Sequence, residues 1–420
     1  MDKMADVLGR AGAWCGQNKY LSAIKNAFQN FMPLTIAGAI GVLWCNVLVN
    51  EQTGLGLFFK PIMALDFLNP AFQAVNFCTI SCITVGITLG IAQEIGVWNM
   101  GAEKAGYIPG LVGLAAWLSV TNTSHMVEGA KEAFTGIAGN ELGATGLFTG
   151  MIIGVLSVEL FCFFEKQDAL KIKMPEQVPP GVARAFEVLV PATITLIITA
   201  CIGSACYNLT GLYLNDVIKN GIQGPLGAVG ATIPGVMIIY LVIMLFWLVG
   251  IHGNNMLSAV KEALFTPLAL ENVEKFNKGE KPTNIINMYA LQMWGEFGGS
   301  GVTIGLVIAI MIFGKREDNK AIATLSLVPG LFNINETVTF GIPMVLNPIL
   351  GIPFVVAPLV TIIIGYVLTV IGFCPVACLT VPWTTPPIVF GFLATGANVM
   401  GAVTQAILIV VSTVIYVPFL

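Results

Sequence analysis

Long apolar runs separated by short polar stretches dominate the chain, and they predict an all-α polytopic membrane protein. Runs such as residues 72–95, 142–164 and 355–373 are long enough for a helix to cross a hydrocarbon core about 30 Å thick. In chain order the runs predict about ten transmembrane helices. Residues 1–26 are amphipathic and predict a helix at the cytoplasmic surface.

The pattern breaks in residues 331–343, LFNINETVTFGIP, where two asparagines and the carboxylate of Glu336 interrupt apolar sequence. As helices, the apolar arms at residues 325–332 and 338–346 would each reach only roughly 12 to 14 Å, less than half of the hydrocarbon core. Prolines, which break regular helices, stand at Pro329, Pro343 and Pro348. The pattern therefore predicts a re-entrant hairpin with Glu336 at a polar tip, lining a substrate site.

Two further stretches of the C-terminal half do not form simple spans. Residues 374–392, CPVACLTVPWTTPPIVFGF, are broken by proline, and residues 283–313 contain MWGEFGGSG before the basic stretch GKREDNK. A single crossing over residues 283–313 would leave those basic residues on the outer side, against the positive-inside rule. We therefore expect two re-entrant hairpins in the C-terminal half.

Composition and charge agree with a membrane protein and exclude several functions. The chain is 56% hydrophobic and only 10% charged, with a net charge of −4 and no basic run that would bind nucleic acid. The sequence has no nucleotide-binding P-loop, and its nine cysteines lack metal-ligand spacing. We expect neither a cofactor nor a metal.

Charge also predicts the topology and a division into two halves. Basic residues in residues 165–187 place that stretch in the cytoplasm, and the proline-rich residues 173–184 are the best candidate boundary. The predicted halves are residues 1–182 and 183–420, with both termini cytoplasmic. Residues 261–281 carry both charge signs and are also predicted to be cytoplasmic.

Several polar residues are candidates for a site, each with a simpler alternative. An ionisable residue in the membrane such as Glu336 is by default functional, although it could only cap the half-helices. His252 lies in GIHGNN beside the amide of Asn254, but it could equally be a water-facing imidazole at a helix end. Glu296 lies among glycines that allow close approach of a sugar, and a plain helix-end position is an equal alternative. Trp383 could stack on a sugar ring or anchor at the interface.

Two other candidates have weaker cases. His125 lies in the polar sequence TNTSH and is expected to be solvated, and Glu159 is expected to serve helix packing.

The motifs resemble one known family over nearly the whole chain. GIHG after a long apolar helix, GGSG some fifty residues later, and VPGLFNINE followed by FGIPMVLNP are similar to Enzyme IIC, the membrane component of the bacterial phosphoenolpyruvate-dependent sugar phosphotransferase system. The likeness is to its lactose, cellobiose and diacetylchitobiose branch. One departure is Thr337, where the family usually has proline; we expect this to soften the hairpin bend.

The resemblance implies a function by group translocation in the bacterial cytoplasmic membrane. It implies an N-terminal half for dimerisation and a C-terminal half that holds a β-linked disaccharide, whose 6-hydroxyl is phosphorylated by a separate Enzyme IIB. It places Glu336 and His252 at that hydroxyl as the catalytic pair. With the residue-level candidates, the expected sugar-binding residues are Asn333, Asn335, Asn254, Glu296 and Trp383. We expect the donor to dock near residues 261–281 or 315–320.

A second function fits the same physics. A proton-coupled secondary transporter could use Glu336 to carry the proton and release unmodified sugar. The product distinguishes the two, because only group translocation yields a sugar phosphate.

Overall fold

The computed structural model describes residues 2–51, 55–125, 134–175, 177–342, 344, 347 and 349–420, and these residues are mostly helical. In the first part of the chain the α-helices are Asp2–Gln17 (α1), Lys19–Leu43 (α2), Leu55–Phe58 (α3), Asn69–Cys78 (α4), Ile83–Met100 (α5), Ala102–Ala105 (α6), Ile108–Val120 (α7), Gly139–Leu142 (α8), Ala144–Glu165 (α9) and Pro180–Thr210 (α10).

The later α-helices are Leu214–Ile218 (α11), Gly224–Gly230 (α12), Ile233–Leu248 (α13), Gly253–Asn277 (α14), Met288–Gly295 (α15), Ile304–Phe313 (α16), Glu317–Leu331 (α17), Glu336–Gly341 (α18), Gly351–Val370 (α19), Val389–Ala394 (α20) and Val399–Tyr416 (α21). The one departure from an all-α class within the described residues is a short antiparallel ladder, β1 (Ser124–His125) with β2 (Phe134–Thr135).

Six helices of the described residues are long and apolar enough to cross a membrane. They are Lys19–Leu48, Lys60–Met100, Ala144–Glu165, Pro180–Thr210, Gly351–Val370 and Val399–Phe419. Shorter apolar helices are α7, α13 and α16. The predicted total of about ten spans, and the depth of the broken segments, stay predictions.

The chain divides into two compact units. One consists of Met1–Gly16, Thr35–Cys78 and Gly227–Leu420, and the other of Gln17–Leu34 and Thr79–Leu226. The second unit is built around α5, α7 and α9, which pack against one another around the buried Trp117. The first has a core formed largely by α13 to α21, with Trp247, Trp294 and Phe354 among its large buried side chains. The predicted boundary after residue 182, and the roles of the two halves, stay predictions.

Two prolines lie inside helices rather than at their limits. The apolar run that begins at Pro33 predicts a first span over residues 33–49, but α2 starts at Lys19 and runs through Pro33. Pro329, expected to break the hairpin arm, lies inside α17, which ends only at Leu331. Membrane helices tolerate internal proline because neighbouring groups satisfy the freed carbonyl. Pro343 and Pro348 lie outside the described residues.

The broken segments of the C-terminal part have clear turns. Residues 332–335, here called the tip, separate α17 from α18, so Glu336 is the first residue of a helix. Residues 296–303, the glycine loop, separate α15 from α16, which agrees with the predicted break in residues 283–313. Residues 380–388, the tryptophan segment, run without helix into α20. Thr337 lies in the first turn of α18, where proline is compatible with a helix, so its softening of the bend stays a prediction.

Candidate functional site

His252 is held at the start of a helix with one ring nitrogen already occupied. After α13, the chain turns at Gly250, and His252 caps α14. Its Nδ1 accepts a hydrogen bond from the backbone N–H of Asn255 at 3.3 Å. In a neutral imidazole an accepting Nδ1 leaves the proton on Nε2, so His252 presents Nε2–H as a donor.

Glu336 lies opposite that donor, although 83 residues intervene in the sequence. The His252 Nε2 and the Glu336 Oε1 are 3.9 Å apart, and the two side chains are 37% and 49% exposed. The separation is too long for a direct hydrogen bond. The pair can therefore engage a third group, since both partners keep exposed surface.

The indole ring of Trp247 fixes one side of the imidazole. The ring centroids of Trp247 and His252 are 4.4 Å apart, and Trp247 is itself buried against Phe340 and Phe354. Trp247 was not among the site residues predicted from the sequence. Its position in FWLVGIHG, five residues before His252, was the available signal.

The three predicted amides of the site all bond to the protein. Asn254 Nδ2 donates to the Ser300 hydroxyl at 3.1 Å, and the buried Asn335 donates to the Ser300 carbonyl at 2.8 Å. Asn333 bonds Gly298 of the same glycine loop. A Cβ at Gly299 would lie 2.7 Å from the Asn335 side chain, so only glycine permits this close approach. The glycine loop, with Ser300, is thus the common support of the site.

Glu296 has partners that the sequence did not predict. Its Oε1 accepts hydrogen bonds from the Tyr240 hydroxyl at 2.7 Å and from the Lys261 ammonium. The Lys261 side chain is only 7% exposed, and its ammonium also lies 5.5 Å from the centre of the Tyr240 ring. The Lys261 side chain, on α14, is therefore buried in its ion pair with Glu296 and does not belong to an exposed docking surface, while docking near the rest of residues 261–281 stays a prediction.

Trp383 lies in the tryptophan segment and is 42% exposed, and its carbonyl accepts a hydrogen bond from Asn333. His125 and Glu159 belong to the other compact unit. There His125 is part of β1, and Glu159 forms an ion pair with Lys19 at 2.5 Å. Within the described residues no cluster of side chains could hold a metal ion.

Comparison with known proteins identifies the chain. The sequence profile of the family described as "Phosphotransferase system, EIIC" matches residues 25–358. The chain belongs to this family. The resemblance found in the sequence motifs is thereby confirmed.

Similar EIIC proteins match over nearly their whole length. The oligo-beta-mannoside-specific EIIC component of Bacillus subtilis (strain 168) is 33% identical, with 100% of this chain and 93% of the relative covered. The cellobiose-specific EIIC component of Lactococcus lactis subsp. lactis (strain IL1403) is 30% identical, with 99% and 96% covered.

A solved structure gives the same result for the fold. The transporter ChbC, the IIC component from the N,N'-diacetylchitobiose-specific phosphotransferase system, is 30% identical and superposes with a TM-score of 0.88, covering 97% of this chain and 94% of that one. This EIIC protein is therefore a multi-pass membrane protein and a sugar permease component of the lactose, cellobiose and diacetylchitobiose family.

Proposed function

We propose that this EIIC protein imports a β-linked disaccharide, such as cellobiose, diacetylchitobiose or lactose, and presents its 6-hydroxyl for phosphorylation. The donor would be a phosphocysteine on a separate Enzyme IIB. The names of the relatives support this substrate class, because cellobiose, oligo-β-mannosides and diacetylchitobiose all have β linkages. Import and phosphorylation are then one process, and the product inside is a sugar 6-phosphate.

The observation that carries the proposal is the approach of His252 Nε2 and Glu336 Oε1 to 3.9 Å. A hydroxyl oxygen bound between them would donate its proton to Glu336 and accept from His252 Nε2–H. Phosphoryl transfer needs such an aligned nucleophile and an acceptor for its proton. As the new O–P bond forms, the S–P bond breaks, the thiolate remains on Enzyme IIB, and the hydroxyl proton goes to Glu336.

The rest of the sugar would lie against three neighbouring groups. The Glu296 Oε1 is taken by Tyr240 and Lys261, and among the described residues no hydrogen bond uses its Oε2, so that oxygen is available to a sugar hydroxyl. The exposed indole of Trp383 offers an apolar face to a pyranose ring. The Asn254 Oδ1 is buried and has no partner among the described residues, so it can accept from the ligand.

The partner and the assembly complete the proposal. Enzyme IIB would dock on the cytoplasmic face near the exposed Lys278 and Lys281 or near Lys315 and Arg316. The Arg316 guanidinium hydrogen bonds to Asp318 and lowers the pKa of that carboxyl, so this surface carries both charges at neutral pH. We further propose about ten spans with two re-entrant hairpins, cytoplasmic termini in the bacterial inner membrane, and a homodimer formed by the N-terminal half.

Replacement of Glu336 tests the function directly. Glu336→Gln keeps the size of the side chain but removes the proton acceptor, so we expect phosphorylation of cellobiose to fall by a factor of about 100 or more. We expect cellobiose binding to weaken by a smaller factor. The measurements are sugar phosphate formation by membrane vesicles supplied with phosphorylated Enzyme IIB, and calorimetric binding to purified protein.

The matched control is Glu103→Gln, the same chemical change at an exposed position of the other compact unit. It should leave both measurements unchanged. If Glu336→Gln phosphorylates cellobiose at the wild-type rate, the assigned role of Glu336 is refuted.

A further inference from the structure

The Asn333 carboxamide joins three separate segments of the chain. Its Nδ2 donates to the carbonyl oxygens of Trp383 and Thr385, the second at 3.1 Å, and its Oδ1 accepts from the backbone N–H of Gly298 at 2.6 Å. The tip is thereby tied both to the glycine loop and to the tryptophan segment. Asn335 adds a second tie, from the tip to Ser300 alone.

These bonds use both hydrogens that the side chain can donate. A carboxamide has two N–H donors and one carbonyl oxygen with two lone pairs. The chemistry of the partners also fixes the orientation of the amide, because two carbonyls require the NH₂ and an N–H requires the oxygen. Asn333 therefore has no donor left for a sugar hydroxyl, although its sequence position favoured a sugar contact.

The backbone of Asn333 is as specialised as its side chain. Its φ is +63°, in the left-handed region that asparagine tolerates better than other residues with a Cβ. Asn333 adopts this conformation in the turn between α17 and α18. Glu336, the proposed base, comes three residues later as the first residue of α18, so the tie lies close to it in the chain.

We propose that Asn333 is a positioning residue, which latches Trp383 and Glu336 into one arrangement around the sugar and makes no donor bond to the sugar itself. This inference rests on the proposed function for its consequence, but the latch can be tested in the absence of sugar. Without the carboxamide, two carbonyls of the tryptophan segment and the Gly298 N–H lose their partner. The segment carrying Trp383 is then free to open.

Two variants separate the side chain from the backbone. Asn333→Asp retains an acceptor for Gly298 but cannot donate to Trp383 or Thr385. Asn333→Gly removes the side chain and keeps the left-handed turn free of strain. The matched control is Asn398→Asp: among the described residues, the Asn398 side chain only accepts, from the N–H of Met400 at the start of α21, and aspartate serves equally well there.

The first measurement is amide hydrogen exchange of residues 380–394 in the purified protein without sugar. Losing two hydrogen bonds should speed exchange there by about tenfold or more in Asn333→Asp and Asn333→Gly. The control Asn398→Asp should exchange at the wild-type rate in that segment. Unchanged exchange in both Asn333 variants would overturn the latch, whatever the protein transports.

The second measurement is a double-mutant cycle for cellobiose affinity with Trp383→Ala. If Asn333 acts through Trp383, Asn333→Gly should weaken binding by about tenfold in the wild-type background and by less than about twofold when Trp383 is absent. Fully additive losses would instead mean that Asn333 does not act through Trp383, and the latch on Trp383 would fall. If Trp383→Ala alone leaves affinity unchanged, the proposed sugar contact of Trp383 fails, and the exchange measurement still decides the latch.

Discussion

Lys261 is a buried charged residue whose charged neighbours in the sequence suggested a cytoplasmic segment. Residues 261–281 contain eight charged residues of both signs, of which three are exposed, Lys278, Glu280 and Lys281. Lys261, however, stands seven residues after Asn254 on the same helix, and this spacing places both on one face. That spacing was the available sequence signal for placing Lys261 at the site, whereas its pairing with Glu296 could not be predicted because Glu296 comes from a separate loop.

The Lys261–Glu296 pair yields a prediction about stability. Lys261→Met should destabilise the protein by about 3 kcal/mol or more, because it leaves a mostly buried carboxylate without its counter-charge. Thermal unfolding of the purified protein measures the change as a lower Tm. We also expect cellobiose to bind more weakly, since Glu296 loses its orientation.

Two further variants make this prediction specific. Lys278, which directly follows α14, forms an exposed ion pair with Glu274 of that helix, so Lys278→Met should leave the Tm unchanged. The double variant Lys261→Met with Glu296→Gln should regain part of the lost stability, because no unpaired charge remains. A Tm for Lys261→Met equal to that of the wild type would contradict the importance of the pair.

At the scale of elements, the end of the tryptophan segment is held by one buried glutamine. Ile388 has a φ of +75°, an unfavourable conformation for a β-branched residue, where the chain enters α20. The Gln405 Oε1 on α21 accepts from the N–H groups of Ile388 and Gly391, both at 2.7 Å, and its Nε2 donates to the Met293 carbonyl. Gln405 thus joins α15, α20 and α21 and holds the strained turn in place.

Gln405→Leu should therefore be strongly destabilising. The change leaves three backbone groups of the described residues without this partner in a buried setting, and we expect a loss of about 3 kcal/mol or more. Thermal unfolding of the sugar-free protein provides the measurement. Gln167→Leu, the same change at an exposed position, should leave the Tm unchanged, and equal Tm values for the two variants would show that Gln405 has no such role.

The elements also show what the sequence could and could not predict. Apolar run length predicted the long helices, and polar interruptions predicted breaks at the glycine loop and the tip. Helix limits at Pro33 and Pro329 were wrong because tertiary surroundings tolerate internal proline. The motifs brought His252 and Glu336 together through their resemblance to a family, whereas the partners of Asn333 depend on contacts that no local pattern encodes.

For the whole molecule, the function predicts both the product and the preferred linkage. Vesicles containing this EIIC protein should convert cellobiose to a 6-phosphate only when phosphorylated Enzyme IIB is present. Maltose, the α-linked disaccharide of the same two glucose units, should be phosphorylated at least about tenfold more slowly, because a site shaped for one linkage leaves polar groups unpaired with the other. Radiolabelled sugar uptake followed by chromatographic separation of the products makes both comparisons.

Two results of that assay would contradict the proposal. Free cellobiose accumulating against a proton gradient without Enzyme IIB would favour proton-coupled transport. Equal rates for cellobiose and maltose would remove the proposed preference for β linkages while leaving membership of the family intact.

The tight packing of the glycine loop has a consequence for evolution. A methyl group at Gly299 would meet the Asn335 side chain at 2.7 Å, and one at Gly301, whose φ is +80°, would meet the Phe354 ring at 2.4 Å. Any larger residue at these two positions would therefore require the fold to rearrange. New sugar preferences must arise through side chains that flank the loop. Homologous proteins can therefore differ in sugar specificity while the backbone of the glycine loop stays almost unaltered.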